Sequence, residues 1–175
     1  AENRFLIISS ATVHPRDKAW IERHITGDEN VTLTDVTSAY TVLSLQGPRS
    51  REILSRVTDA ALDNAAFPFA TSQEIDLGYG RAIANRLTYV GELGWELHIP
   101  TEFAQGAFDA VMQAGADFGL KPAGYHALEH LRSERAYREY ELDLTPEDTP
   151  SPADAVVYLM RHLHAGDVRF LEAFH

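Results

Sequence analysis

Apolar positions cluster at the start of the sequence, where Arg4 is followed by Phe5-Leu6-Ile7-Ile8, a β-rich run that predicts a strand. Over 17–24 the spacing becomes helical, with Ala19, Trp20 and Ile25 on one face. Gly27-Asp28-Glu29-Asn30 is a turn cluster, and 31–36 and 40–45 predict two more strands. Gly47-Pro48 closes the second of these and opens a helix, because proline suits a first helical position. Ile53, Leu54 and Val57 then recur at a spacing that faces the core. Residues 64–72, broken by Pro68 between two phenylalanines, read as a loop or an edge. Two strands are predicted at 73–77 and 81–90, around the turn Gly78-Tyr79-Gly80, and 95–99 alternates as another. Pro100-Thr101-Glu102 caps a long helix with Phe103, Ala107, Phe108, Val111 and Met112 on its apolar face, and Gly119 stops it. A second helix is predicted from about Tyr125 to Tyr137, with Leu128 and Leu131 toward the core and Arg132 at the edge of that face. This order predicts an α+β fold: antiparallel or mixed sheets with packed helices, in a split βαβ-like arrangement.

The periodicity stops at Glu139. Three prolines and six acids over 139–154 predict an extended surface loop, and apolar residues return only at 155–164. The division expected is 1–154 as the central part of a domain and 155–175 as a truncated C-terminal segment. Neither end reads as a domain boundary, so a piece of a longer protein is expected. The 175 residues carry a formal charge of −11, which disfavours phosphodiester backbones and so nucleic acid as a partner. With no cysteine, disulfides, thiolate metal sites and cysteine nucleophiles are excluded. Only Lys18 and Lys121 are lysines, and the remaining basic residues are arginines, suited to paired recognition of carboxylates. No Walker A loop, GxSxG elbow or strand-associated GxGxxG occurs. No apolar run is long enough for a membrane helix, so no membrane partner is expected.

Three local patterns could carry chemistry. In Tyr89-Val90-Gly91-Glu92-Leu93-Gly94-Trp95, two glycines let the backbone turn tightly around Glu92. That carboxylate is either a solvated turn residue or an acceptor for paired N–H donors, such as the edge of a 2-aminopyrimidinone. Arg132 is either a helix-surface cation or a guanidinium reaching a cleft while its stem packs. His126 and His130 share a helix face, but no third ligand is spaced to join them and HALEH is not HExxH, so no metal site is expected.

Read together, Asp35-Val36-Thr37-Ser38-Ala39-Tyr40-Thr41-Val42-Leu43-Ser44-Leu45-Gln46-Gly47-Pro48, Tyr89 to Leu97, Leu128-Glu129-His130-Leu131-Arg132-Ser133-Glu134 and Asp143 to Pro150 carry a resemblance. From about Arg4 to about Pro150 the chain resembles the folate-binding aminomethyltransferase domain of the glycine-cleavage T-protein. It is most similar to the version found as the folate half of sarcosine and dimethylglycine dehydrogenases. The resemblance implies a T-protein-like fold that binds tetrahydrofolate and passes a one-carbon unit to it, giving 5,10-methylenetetrahydrofolate. It also implies that Glu92 grips the pterin edge, that Arg132 lines the folate pocket and that Tyr89 shapes it. FAD is implied only if the parent protein carries a flavoprotein half, linked or separate, as partner. The implied compartment is the cytoplasm, or the mitochondrial matrix in a eukaryote.

The departures limit these expectations. The family's catalytic aspartate lies upstream of the FLII-like strand, and no residue of this chain is expected to inherit its role. Ser10 stands where the family has an asparagine that contacts pterin, and His126 and His130 replace other residues. A second reading is therefore kept: a non-catalytic regulatory or interaction module on the same fold.

Overall fold

A computed structural model describes residues 4–138 and Asp143. Its centre is one four-stranded sheet built from β1 (Tyr40–Gln46), β2 (Ser72–Leu77), β3 (Gly80–Asn85) and β4 (Gly94–Pro100). The spatial order is β1-β4-β3-β2, and every neighbouring pair is antiparallel. β1 and β2, joined through helix α2 (Ser50–Leu54), thus take the two edges, and β4 and β3 fill the gap between them. The α+β class with an antiparallel sheet and packed helices is what the sequence pattern predicts.

Strand alternation decides which face is dry. Leu45 of β1 faces Trp95 of β4, Ala84 of β3 faces Leu97, and Ile75 of β2 faces Ala82. These side chains share one face, and all are buried. Helices α2 and α3 (Ala104–Gly115) cover that face with Ile53, Leu54, Ala107 and Val111. A fully buried side chain of the size of Leu97 or Leu54 contributes on the order of 2 kcal/mol. Trp95 is fully buried, with the Phe67 ring edge-on at 6.1 Å. Two guanidinium groups, of Arg51 and Arg86, stand 5.9 and 5.8 Å from its ring. Both donate to the Asn64 side-chain oxygen, at 2.7 and 2.8 Å, and to the carbonyls of Leu62 and Phe67. The loop before β2 is thereby pinned over the indole.

Several predicted elements differ. Residues 4–10 form no strand, and Phe5 and Ile7 are 83% and 62% exposed. An apolar run becomes a strand only where a neighbour completes its ladder, and among the described residues none lies alongside. The same holds for 31–36, which is irregular. Helix α1 (His14–His24) begins earlier than expected, with proline in its first turn, and buries no residue. Trp20 is exposed and stacks on His24 one turn later, 4.1 Å between centroids. β3 stops at Asn85 instead of reaching Val90, because the Arg86 N–H donates to the Thr71 carbonyl and its own carbonyl accepts from Ala70, outside the β2 ladder. In α3, Ala107 and Val111 face the core as predicted, while Phe103 and Phe108 lie half-exposed on its flank. Gly119, left-handed at φ 72°, ends that region.

Helix α4 (Tyr125–Glu134) reverses an expectation. Leu131 is 42% exposed, whereas Arg132 is 4% exposed. The arginine goes inside because each of its three nitrogens meets an acceptor there, Glu129, Asp143 or the Tyr137 carbonyl. The helix ends in a two-bond reversal: the Ala136 N–H donates to the Ser133 carbonyl and the Tyr137 N–H to the Arg132 carbonyl, both at 3.0 Å. Ala136 holds the left-handed position usually given to glycine, at φ 57°. The predicted loop at 139–154, apart from Asp143, and the segment 155–175 lie outside the described residues.

Candidate functional site

The site grows from the connection between β3 and β4. Its first anchor is Leu93, whose carbonyl accepts from the Gly47 N–H at 2.8 Å and the Ser50 hydroxyl at 2.9 Å. The Gln46 side-chain amide donates to the Leu87 carbonyl at 3.3 Å. Gly94 follows, so close to β1 that a methyl group there would lie 2.0 Å from the Gln46 side-chain oxygen and 2.6 Å from the Leu45 carbonyl. These contacts tie both ends of 87–94 to the end of β1. Within the turn, the Glu92 N–H donates to the Thr88 hydroxyl at 3.1 Å. Gly91 adopts φ 74°, a left-handed conformation that side chains disfavour.

The C-terminal turn of α4 lies against this connection. The Arg135 stem rests on Gly91, where an added methyl would meet its Cγ at 2.6 Å, and its guanidinium pairs with the Glu92 carboxylate. One turn earlier, the Arg132 guanidinium stands 5.9 Å from the centroid of the Tyr89 ring. Arg132 donates from Nε to Glu129 at 2.7 Å and from Nη1 to the Tyr137 carbonyl at 3.0 Å. It also pairs with Asp143. The Glu129 hydrogen bond is the largest influence holding Arg132 protonated well above its ordinary value, and it outweighs the burial that opposes the charge.

Glu92, Tyr89 and Arg132 are thus brought to one place, with different accessibility. The Glu92 side chain is about one-third exposed, and that of Arg132 is sealed. Three partners have no role at this site in the sequence reading: Arg135 and Glu129, which the helix pattern includes only as neighbours of Arg132 and of the two histidines, and Thr88. The Glu129–Arg132 spacing of three is a visible helix-pair signal, whereas nothing local links Arg135 to a turn 43 positions away. His126 and His130 point outward on α4. Ser10 shares a 3.0 Å hydrogen bond with Thr12 in the irregular stretch before α1.

A hollow of about 370 Å3 lies on the sheet face away from α2 and α3, between Leu6, Ile8, Glu74, Ile83 and Asn85. No residue of the Glu92 site lines it. On this same face His98 is buried, and desolvation lowers its pKa while Glu96, 3.9 Å away, opposes the shift. No helix among the described residues is long and apolar enough to cross a membrane.

Residues 1–159 match the family model described as the GCVT N-terminal domain. The chain belongs to that family. Its sequence is 47% identical over 121 residues to mitochondrial sarcosine dehydrogenase of Mus musculus, covering 69% of this chain and 13% of that protein. It is 37% identical over 157 residues to an aminomethyltransferase of Chlorobaculum parvum, covering 89% of this chain and 41% of that one. A third relative is the mitochondrial pyruvate dehydrogenase phosphatase regulatory subunit of Mus musculus, at 35% over 147 residues, or 83% and 17% of the two lengths. The chain spans less than half the length of each of these relatives.

Proposed function

We propose that this chain is the tetrahydrofolate-holding segment of an aminomethyltransferase or of a sarcosine or dimethylglycine dehydrogenase-like protein. The family binds tetrahydrofolate generally, and one observation carries the reading to these residues. An acceptor-only carboxylate, Glu92, sits partly exposed on a turn whose two ends are fastened to β1, with the Tyr89 ring close to the same helix end. Such a group suits the N–H edge of a pterin, because two carboxylate oxygens can accept two parallel donors. The residues therefore fit the heterocycle. Tyr89 offers a flat wall, and Arg132, clamped by Glu129 and Asp143, holds the helix end behind it. When bound, tetrahydrofolate would supply the nitrogens that accept a one-carbon unit. Glu92 would hold its pterin edge and fix its orientation, so that this chain's contribution is chiefly positioning. No residue described here is assigned a proton transfer. The one-carbon donor, and FAD on a flavoprotein partner, belong to the parent protein in this reading.

The second reading, a non-catalytic interaction module, is favoured by a separate observation. Glu92 already has an arginine partner, and Arg132 is enclosed by its own chain. A relative named as a regulatory subunit points the same way. Calorimetric titration of the 175-residue chain with 5-formyltetrahydrofolate separates the two. Saturable binding that weakens by tenfold or more in Glu92→Gln supports the folate reading, since a charge-assisted hydrogen bond is worth about 1.5–3 kcal/mol. Arg132→Ala should weaken binding too. Absence of binding by the folded, unsubstituted chain would overturn the folate reading in favour of the module.

A further inference from the structure

We propose that Arg135 is a built-in competitor for the ligand-gripping carboxylate, so that the end of α4 acts as a latch over the turn holding Glu92. This rests on the folate reading of Glu92 and concerns how the same site opens. The Arg135 side chain does two things at once. Its stem covers the backbone of Gly91, and its Nη2 pairs with Oε1 of Glu92. A heterocycle that presents two adjacent N–H donors needs both oxygens of that carboxylate, so the pair and the ligand exclude one another at Oε1.

The latch is weak by construction. The Glu92 and Arg135 side chains are 35% and 53% exposed, so water and salt screen their attraction. The neighbouring Arg132 differs, because it is 5% exposed and held by Glu129, Asp143 and the Tyr137 carbonyl. The helix end thus has a fixed cation and a yielding one, a turn apart. Opening the yielding one leaves the fixed one in place, so the helix end need not leave the 87–94 connection for the carboxylate to exchange partners. The movement is a side-chain rotation, since the N–H groups of Arg135, Ala136 and Tyr137 all donate back to carbonyls of Arg132 and Ser133 and hold the backbone at this point.

The test uses the whole chain and an uncharged probe, 6-methyltetrahydropterin, which carries the paired N–H edge without an anionic tail. Its affinity is measured for the unsubstituted protein, Arg135→Met and Arg135→Lys, each at low and high salt. Arg135→Met keeps the stem over Gly91 and removes the charge, so binding should tighten about two- to fivefold. The unsubstituted protein should bind more tightly as salt weakens the ion pair, while Arg135→Met should lose that salt dependence and Arg135→Lys should keep it. Equal or weaker binding by Arg135→Met, with the unsubstituted chain still binding, would overturn the latch and leave the role of Glu92 standing. If neither protein binds the pterin, the folate reading falls and the latch with it.

Discussion

Two short apolar stretches of the molecule meet opposite ends. Phe5-Leu6-Ile7-Ile8 is the more hydrophobic, yet it forms no strand and lies exposed. Residues 94–100, which include a glutamate and a histidine, form the central strand β4, with Trp95 and Leu97 fully buried. The difference is company. β4 has β1 on one side and β3 on the other, so its backbone groups are paired while alternate side chains meet the helices. The 5–8 run has no such neighbour among the described residues, and local hydrophobicity does not replace one.

That contrast can be broken at graded cost, measured by chemical denaturation of the whole chain. The largest effect is expected from Trp95→Ala, which empties the space enclosed by Phe67, Arg51 and Arg86 and should cost about 3–5 kcal/mol. Gly94→Ala should come next, at about 2–4 kcal/mol, because the added methyl meets the Leu45 carbonyl in the β1 ladder as well as a movable glutamine side chain. A third expectation concerns pH and His98, also on β4. Burial favours its neutral form, so its folded pKa lies below the unfolded value of 6.5. Stability from this group is then complete above about pH 6.5 and is lost as pH falls through that value toward the folded pKa, where the unfolded chain binds the extra proton. Unfolding midpoints measured between pH 8 and 5 should decline for the unsubstituted chain and less so for His98→Gln. A decline of equal steepness in both proteins would assign the effect elsewhere.

Smaller effects lie outside the sheet. Ala136→Gly should stabilise by about 0.5–1 kcal/mol, since glycine adopts the left-handed position without the side-chain penalty. Phe5→Ser and Ile7→Ser should each fall within about 0.5 kcal/mol, against several for a comparable change in β4. A large loss from either would mean that the 5–8 run is packed after all.

The parts legible in the sequence were those where a local rule and a long-range partner agree. The strands at 40–45, 73–77 and 95–99 alternate, end at turn residues, and find neighbours that bury the alternating set. At 31–36 and 86–90 the local pattern says strand, but the backbone bonds go elsewhere or find no ladder. In α4 the spacing put Leu131 inside and Arg132 at the edge, and the structure inverts them. A charge can be buried when carboxylates and a carbonyl meet its donors, and that depends on Asp143, 11 positions away in a stretch without periodicity. Glu92 and Tyr89 could be picked out by their motif, and fold geometry brings them beside Arg132. Arg135 could not, because nothing in a single sequence ties it to a distant turn.

The measurement closest to the central claim is a backbone amide NMR titration of the 175-residue chain with 6-methyltetrahydropterin. If Glu92 grips the heterocycle, the shifts should gather at Tyr89, Gly91, Glu92 and the end of α4, and Glu92→Gln should need at least about tenfold more ligand to produce them, without altering the rest of the spectrum. Saturable binding whose shifts fall on other surfaces, or appear at the same ligand concentration in that variant, would contradict it.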